Sequence, residues 1–465
     1  MAQTPKRGGI LTFAVSAEPP NYDCHANASF AFIHPVRPHY STLLKFDAPN
    51  YPKIVGDLAA SWKVSNDGLT YTFKLRNNVK FHDGSALASA DIKATYDRIR
   101  NPSAGVRSLR QATYADVATI ETPDAQTVVF KLKKTNASML SNFASPWDCV
   151  YSAAKLKQDP KFPERNILGT GPFTFAEHVA GSHWVGKRFD GYYEKGKPYL
   201  DGYRAVFISG APMVNALAAG EVMAEFRGHS PADRDRLVKA LGDKAVVVET
   251  AWVCSLVVGF NALKKPFDDA RVRKALSLGI DRWGGAEALS RIALVRHVGG
   301  LLRPGYELAA SGQDLVTMAG FSFDIAASRA EAKRLLKEAG QENLTFKLTN
   351  RNIAMPYTPV GVFLIDQWRQ IGLNVQHEQL ETKLYLAAQQ KEGGTYDAAL
   401  DFNCDFMDEP NLQLQKYLSL DKSPINYAHQ TDRKLDELYE KQSSEMNKKK
   451  RYALLREFER HALEQ

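Results

Sequence analysis

Three short stretches carry residue types that could do chemistry, and each fails at a particular residue. Gly191-Tyr192-Tyr193-Glu194-Lys195-Gly196-Lys197 has the spacing of a loop that wraps backbone N–H groups around a phosphate. Pro198 stands where a Ser or Thr would ligate magnesium, and two tyrosines and a glutamate inside the loop would crowd and repel the anion. His377-Glu378 opens like the helix of a zinc protease, but the residue four beyond the His is Glu381, and the segment alternates like a strand. Gly169-Thr170-Gly171 is not continued to the third glycine of a dinucleotide loop, and no Gly-x-Ser-x-Gly nucleophile elbow occurs. The 11 His are spread singly, with His25, His34 and His39 the only loose group. Cys24, Cys149, Cys254 and Cys404 form no Cys-x-x-Cys pair and have no His at metal spacing beside them. They read as buried apolar side chains; a disulfide is possible, but the spacing names no pairing. These residues predict no catalytic group, no metal and no cofactor.

The elements that would position a site are easier to read. The chain has 465 residues, 44% hydrophobic, 24% charged and 10% aromatic, enough for several globular cores and too apolar for a disordered chain. No run approaches the ~20 apolar residues of a membrane span. A formal charge of +8 is dilute over this length, and no basic motif interleaved with aromatics is present, so nucleic acid is not an expected partner. The densest basic run, Lys448-Lys449-Lys450-Arg451, precedes Leu454, Leu455 and Phe458 and reads as the solvated face of a helix.

Trp62 and Val64, the turn Asn66-Asp67-Gly68, and Leu69, Tyr71, Phe73 and Leu75 spell a β-hairpin. Ser89 is placed to cap a helix carrying Ile92, Tyr96 and Ile99. A second hairpin joins Val117 to Ile120 with Val128, Phe130 and Leu132 around the turn Thr122-Pro123-Asp124. Between about 160 and 260 short strands are expected at Phe173 to Phe175, Tyr203 to Ile208, Ala245 to Glu249 and Ser255 to Phe260, with a helix at Met213 to Ala219. From 262 helices and strands alternate: helices at Val272 to Ile280, at Ala330 to Ala339 closed by Gly340, and around Phe363 to Ile371 closed by Gly372. Strands fall at Leu344 to Leu348, Leu373 to Val375 and Ala398 to Phe402. That alternation predicts an α/β lobe with a largely parallel sheet.

Several segments, in order, carry a family resemblance. LAASWKVSNDGLTYTFKLRNNVKFHDGSALASADIKATYDRI, beginning at Leu58, closely resembles the signature segment of the extracellular solute-binding proteins of ABC importers, family 5, the group with peptide-, opine- and nickel-binding members. KRGGILTFAVSAEPPNYD from Lys6 resembles the mature N-terminus of the family. LGTGPFTFAEHVAGSHWVGKRFDGYYEKGKPYLD from Leu168 and VVGFNALKKPFDDARVRKALSLGIDR from Val257 are similar to later family segments, as are AEAKRLLKEAG, WRQIGLNVQ and YDAALDFNCDFMDEPN. The resemblance covers nearly the whole chain. It implies an α/β, two-lobed periplasmic-binding-protein flytrap, type II-like, with an additional α+β lobe inserted in the first lobe. The expected division is lobe I at 1–45 and 160–260, the inserted lobe at 46–159, and lobe II at 261–465, with a ligand cleft between lobes I and II that closes at a hinge. Family members usually run some tens of residues past the helix matching Arg451 to Leu463, so a processed or incomplete C-terminus is expected. The polar N-terminus, without an apolar signal core, fits an exported periplasmic protein whose signal peptide has been removed.

The resemblance also nominates site residues. Asp405, in Phe402-Asn403-Cys404-Asp405, matches the aromatic-x-x-Asp element that holds a ligand α-ammonium in peptide binders, with Phe402 in place of the usual Trp. Arg351 lies where some dipeptide binders carry an arginine for the ligand carboxylate, which a guanidinium fork suits. Trp147, Trp252, Phe402 and Tyr22 are candidate apolar walls. The implied function is the substrate-binding component of an ABC importer, taking a short peptide or amino-acid-derived zwitterion to permease transmembrane subunits, as a monomer and not as an enzyme. The alternatives are a same-fold binder of an opine, sugar, aromatic acid or metal complex, and a periplasmic hydrolase.

Overall fold

Alternating apolar and polar residues build the first half of the chain. In a computed structural model, which describes residues 5–250, 254–390, 394–403 and 407–465, the chain divides into two units between Arg227 and Gly228. The first unit contains β1 (Ile10–Val15), β2 (Leu44–Phe46), β3 (Ile54–Gly56), β4 (Ala59–Val64), β5 (Thr70–Leu75), β6 (Val117–Asp124), β7 (Thr127–Leu132), β8 (Phe173–Val179), β9 (His183–Arg188), β10 (Gly202–Phe207) and β11 (Ala224–Glu225).

Both expected hairpins form within one antiparallel sheet of order β4-β5-β7-β6. Asp67 Oδ1 accepts the Leu69 N–H at 3.0 Å, and Gly68 takes the left-handed conformation (φ 70°) that closes the first turn. Tyr71, Phe73, Phe130, Tyr96 and Phe143 are buried together behind this sheet, with Phe73 edge-on to Phe143 at 5.0 Å between centroids. Two local expectations are corrected. β6 continues through Asp124, which pairs with Thr127, so the second turn lies at Ala125-Gln126. The helix Ser89–Arg100 is not capped by the Ser89 side chain, which donates instead to Asp124 O; Asp91 reaches back to the Ala88 N–H at 2.8 Å.

The other large sheet of this unit runs β11-β1-β10-β9-β8, with β1 parallel to both β10 and β11 and the rest antiparallel. β2 and β3 form a separate pair. The two phosphate-loop decoys are explained here by packing. A Cβ on Gly169 would come within 2.1 Å of His39 O, and one on Gly171 within 2.5 Å of the His39 carbonyl carbon, so these glycines allow one backbone to cross another. Glu194 is bound by Lys197 at 2.7 Å and by Lys45, while Tyr193 donates to Asp57 at 2.6 Å; this loop is held by its own ion pairs.

The second unit holds β12 (Ser255–Phe260), β13 (Thr345–Arg351), β14 (Asn374–Leu380) and β15 (Ala398–Asn403) in the order β12-β15-β13-β14. The sheet is mixed: β13 is parallel to β14 and β15, and β12 is antiparallel to β15. β12, expected with the sheet of lobe I, therefore pairs in the second unit. Helices Ala270–Leu278 and Tyr357–Arg369 pack on the sheet through Trp368, fully buried, whose Nε1 donates to Leu276 O at 2.9 Å. Gly340 (φ 66°) and Gly372 (φ 96°) follow helices Ile325–Glu338 and Tyr357–Arg369, as the sequence predicts.

Three further expectations change. Ala245 to Glu249 is not a strand: Val246 and Val248 are 87% and 77% exposed, because no neighbouring strand among the described residues pairs with them. Cys24 and Cys149 are not free thiols but a disulfide closing a sequence separation of 125, and Cys254 is disulfide-bonded too. In helix Lys448–Glu464 the three lysines are exposed, but Arg451 turns inward to Glu409 at 2.9 Å and is not part of a solvated face. No described helix is long and apolar enough to cross a membrane.

Candidate functional site

The last residues of β13 are buried, and the strand ends on a charge. Arg351 is 2% exposed. Its guanidinium carbon lies 4.9 Å from the ring centroid of Phe402, 5.4 Å from Tyr385 and 5.5 Å from Tyr357. Each ring is held from a different element. Phe402 is on β15, Tyr385 on helix Thr382–Gln390, where its hydroxyl donates to Leu400 O at 2.8 Å, and Tyr357 opens helix Tyr357–Arg369. Asn350 ties the cage together by donating to Tyr357 O at 2.7 Å while accepting the Arg351 N–H at 2.8 Å.

The aromatic faces offset part of the cost of burying the cation. Yet Nε and Nη2 of Arg351 are buried and meet no hydrogen-bond acceptor among the described residues, and no ion pair involves this side chain there. Buried guanidinium donors are normally matched, and these two are not matched by any described residue. The planar fork of Arg351 suits a carboxylate.

A second cation nearby, part-buried, is already satisfied. Lys416 Nζ lies 2.7 Å from Asp401 Oδ2, also donates to Phe402 O, and sits 5.0 Å from the Phe402 ring. Phe402 thus packs between one compensated and one uncompensated cation. Asp405 and Trp252 lie outside the described residues.

The remaining candidates belong to the first unit. Tyr22 is half-buried, its hydroxyl 2.8 Å from His178 Nδ1 and its ring edge-on to Trp184 at 4.9 Å. Burial, with Glu18 nearby, raises its phenol pKa. Trp147 is fully buried, stacked under the Arg110 guanidinium at 4.5 Å and beside Phe32, so it is a wall of the core rather than an open face.

The loose histidine group is structural. His39 Nδ1 donates to Phe173 O at 2.8 Å, and its Nε2 accepts from Trp184 Nε1 at 2.8 Å. Burial lowers the pKa of His39 and of His25 to about 3, and that of His34 to about 4, so all three are neutral. No group of three or more His, Cys, Asp or Glu is placed to hold a metal among the described residues.

Tyr357, Tyr385 and the Asp401–Lys416 pair escaped sequence reasoning. The aromatic cage is assembled by residues 6, 34 and 51 positions from Arg351, a separation at which neither helical nor strand periodicity carries information.

The sequence profile of the bacterial extracellular solute-binding proteins, family 5 Middle, matches residues 53–423. The chain is 31% identical over 347 residues to the glutathione-binding protein GsiB of Pectobacterium atrosepticum, covering 72% of this chain and 62% of that protein. It is 30% identical over 359 residues to a putative ABC transporter peptide-binding protein of Brucella ovis, covering 74% and 64%. The matched region thus spans under two thirds of the length of these relatives. Among solved structures, DppA of Helicobacter pylori in complex with the peptide STSA superposes with a TM-score of 0.84 at 22% identity, covering 99% of this chain and 91% of that one. AgaA of A. tumefaciens R10, in complex with agropinic acid, superposes at 0.80 with 25% identity, covering 98% and 90%. A profile match over most of the chain, on this mixed α/β fold, means that the chain belongs to the bacterial extracellular solute-binding proteins of family 5.

Proposed function

We propose that this protein is the substrate-binding component of an ABC importer, and that it captures a short peptide or an amino-acid-derived zwitterion through Arg351. The observation that carries this reading is the buried guanidinium with two unmatched donor atoms inside the Phe402, Tyr357 and Tyr385 cage. A ligand carboxylate would satisfy both donors and neutralise the charge, and the ring faces would pack on the ligand's apolar part. Asp405, three residues past Phe402, is the proposed partner of the ligand α-ammonium, and Tyr22 and Trp252 the proposed walls; Trp147, enclosed in the core of the first unit, is not one. The named ligands of relatives support the class: glutathione for GsiB and a peptide for DppA. The complex of AgaA with agropinic acid supports an opine as a second reading, because an opine presents the same carboxylate.

On this reading the protein makes and breaks no covalent bond. It works in the periplasm as a monomer, delivers its cargo to permease transmembrane subunits, and signals loading by the shift of population that binding produces. The division into lobes is part of the same proposal, with 46–159 as the inserted lobe and with 228–260, whose strand β12 pairs with β15, assigned to the second lobe and not the first. The test is calorimetric titration of protein stripped of cargo by unfolding and refolding, with di- and tripeptides and their C-terminal amides. Binding of the free acids and loss of at least tenfold with the amides supports the carboxylate anchor. Equal binding of acid and amide overturns it.

A further inference from the structure

His377, the first residue of the failed metal motif, touches the scaffold of the Arg351 cage. It is half-buried on β14, across the parallel ladder from Leu348 on β13. Side chains alternate along both strands, so His377 shares one face of the sheet with Leu348 and Asn350. On that face the fully buried Asn350 side chain makes three contacts. Its Nδ2 donates to Tyr357 O at 2.7 Å, its Oδ1 accepts the Arg351 N–H at 2.8 Å, and its Nδ2 also lies 3.1 Å from His377 Nε2.

The first two contacts fix the third. A carbonyl oxygen only accepts and a backbone N–H only donates, so turning the Asn350 amide over would oppose like groups at both Tyr357 and Arg351. Nδ2 is therefore a donor toward His377, and His377 Nε2 must accept. A neutral ring does so with its proton on Nδ1. A protonated ring carries N–H at both nitrogens and sets donor against donor. The helix Tyr357–Arg369 lies close over the pair: a Cβ on Gly361 would come within 2.5 Å of His377 Nε2 and 2.7 Å of Asn350 Nδ2.

No neighbouring charge favours the protonated ring. On β14, Glu378 points to the other face, where it meets Lys347 at 3.2 Å and Thr349 at 2.9 Å. On β13 the charged residue next to Asn350 is the cation Arg351, and on helix Tyr357–Arg369 the carboxylate of Asp366 lies 3.8 Å from Arg369. His377 has no ion-pair partner among the described residues, and burial lowers its pKa.

We infer, on the reading of Arg351 as the anchor of a ligand carboxylate, that Asn350 is a positioning residue which holds Arg351 and Tyr357 together, and that His377 acts through Asn350 as an acid-sensitive latch on capture. The neutral ring keeps the amide in place. Protonation at Nε2 pushes Nδ2 away and loosens both main-chain contacts that Asn350 bridges. Proton and ligand then compete: capture is full above the ordinary imidazole value of about 6.5 and weakens as pH falls through the lowered value, by up to about tenfold per pH unit.

The probe is an equimolar mixture of tripeptides Ala-Xaa-Ala with free carboxylates, equilibrated by dialysis against cargo-stripped protein at about pH 7.5 and about pH 5, either side of the imidazole range. Wild-type capture is expected to weaken about tenfold or more at the lower pH. His377→Gln, whose amide oxygen accepts from Asn350 but takes no proton, should show no such loss. Asn350→Ala should capture about tenfold less at both pH values, with no pH response of its own. The same loss with pH in wild type and His377→Gln, while Arg351→Met captures nothing, overturns the latch and leaves the anchor standing. Capture by Asn350→Ala equal to wild type overturns the positioning role. Equal capture by wild type and Arg351→Met, or none by either at the higher pH, overturns the anchor and the latch with it. Nitrogen NMR of the ligand-free protein gives a separate test: the His377 proton is expected on Nδ1, and a proton on Nε2 at the higher pH overturns the latch.

Discussion

Replacing Arg351 with Met should raise stability and abolish capture, a combination that distinguishes a ligand anchor from a structural arginine. In the ligand-free protein the substitution removes two unmatched buried donors, Nε and Nη2, which cost about 1–3 kcal/mol each. It also removes three ring contacts at 4.9, 5.4 and 5.5 Å, which return about 0.5–1 kcal/mol each. Met fills most of the same volume and packs well against aromatic rings. The net expectation is a ligand-free protein between equal in stability and about 2 kcal/mol more stable, a rise of roughly 2–4 °C per kcal/mol for a unit of this size. Toward a carboxylate ligand the change removes one partner of a buried charge pair, about 2–5 kcal/mol. That is roughly 30- to 4,000-fold in Kd. Thermal unfolding of the stripped protein and calorimetric titration with the best-bound peptide read the two effects separately. An unfolding midpoint lowered by several degrees, together with unchanged affinity, would refute the reasoning and make Arg351 a structural residue.

Acid should destabilise the first unit through its neutral histidines. His39 and His25 have folded pKa values lowered to about 3, against about 6.5 unfolded, so the unfolded chain binds protons first as pH falls. Their contribution is complete above about pH 6.5 and is lost on descending toward pH 3, on the order of 4 kcal/mol per residue; His39→Gln should flatten the slope of unfolding free energy between those limits. Replacing Cys24 and Cys149 with Ala should lower stability by about 5 kcal/mol from the closed loop of 125 residues, measured by denaturant unfolding. Asp401→Ala leaves the part-buried Lys416 without its carboxylate and should cost up to about 3 kcal/mol. Adding Lys416→Met should restore most of that loss, which a double-mutant cycle would show.

Local patterns in the sequence were readable where one segment decides its own structure. The Asn66-Asp67-Gly68 turn, the flanking alternation, and helices stopped by Gly340 and Gly372 depend on neighbours within a few residues, and they form as expected. Where a distant partner decides, local reading failed. Ala245 to Glu249 has the composition of a strand but lacks a neighbour among the described residues, and Ser89 is drawn from its cap by a carbonyl 35 residues away. The Cys24–Cys149 bond joins segments 125 residues apart, a pairing that no spacing rule names. The site divides the same way. Arg351 and Phe402 were nominated through the family resemblance, whereas the cage around Arg351, with Tyr357 and Tyr385, exists only once β13, β15 and two helices have packed together.

Native mass spectrometry of the protein as purified, followed by unfolding and identification of any released molecule, tests the proposed capture of a zwitterion most directly. A co-purified short peptide or opine with a free carboxylate, absent from Arg351→Met protein prepared in the same way, is the expected result. A neutral, lipidic or metal-containing species, or a carboxylate ligand retained equally by Arg351→Met, would contradict it.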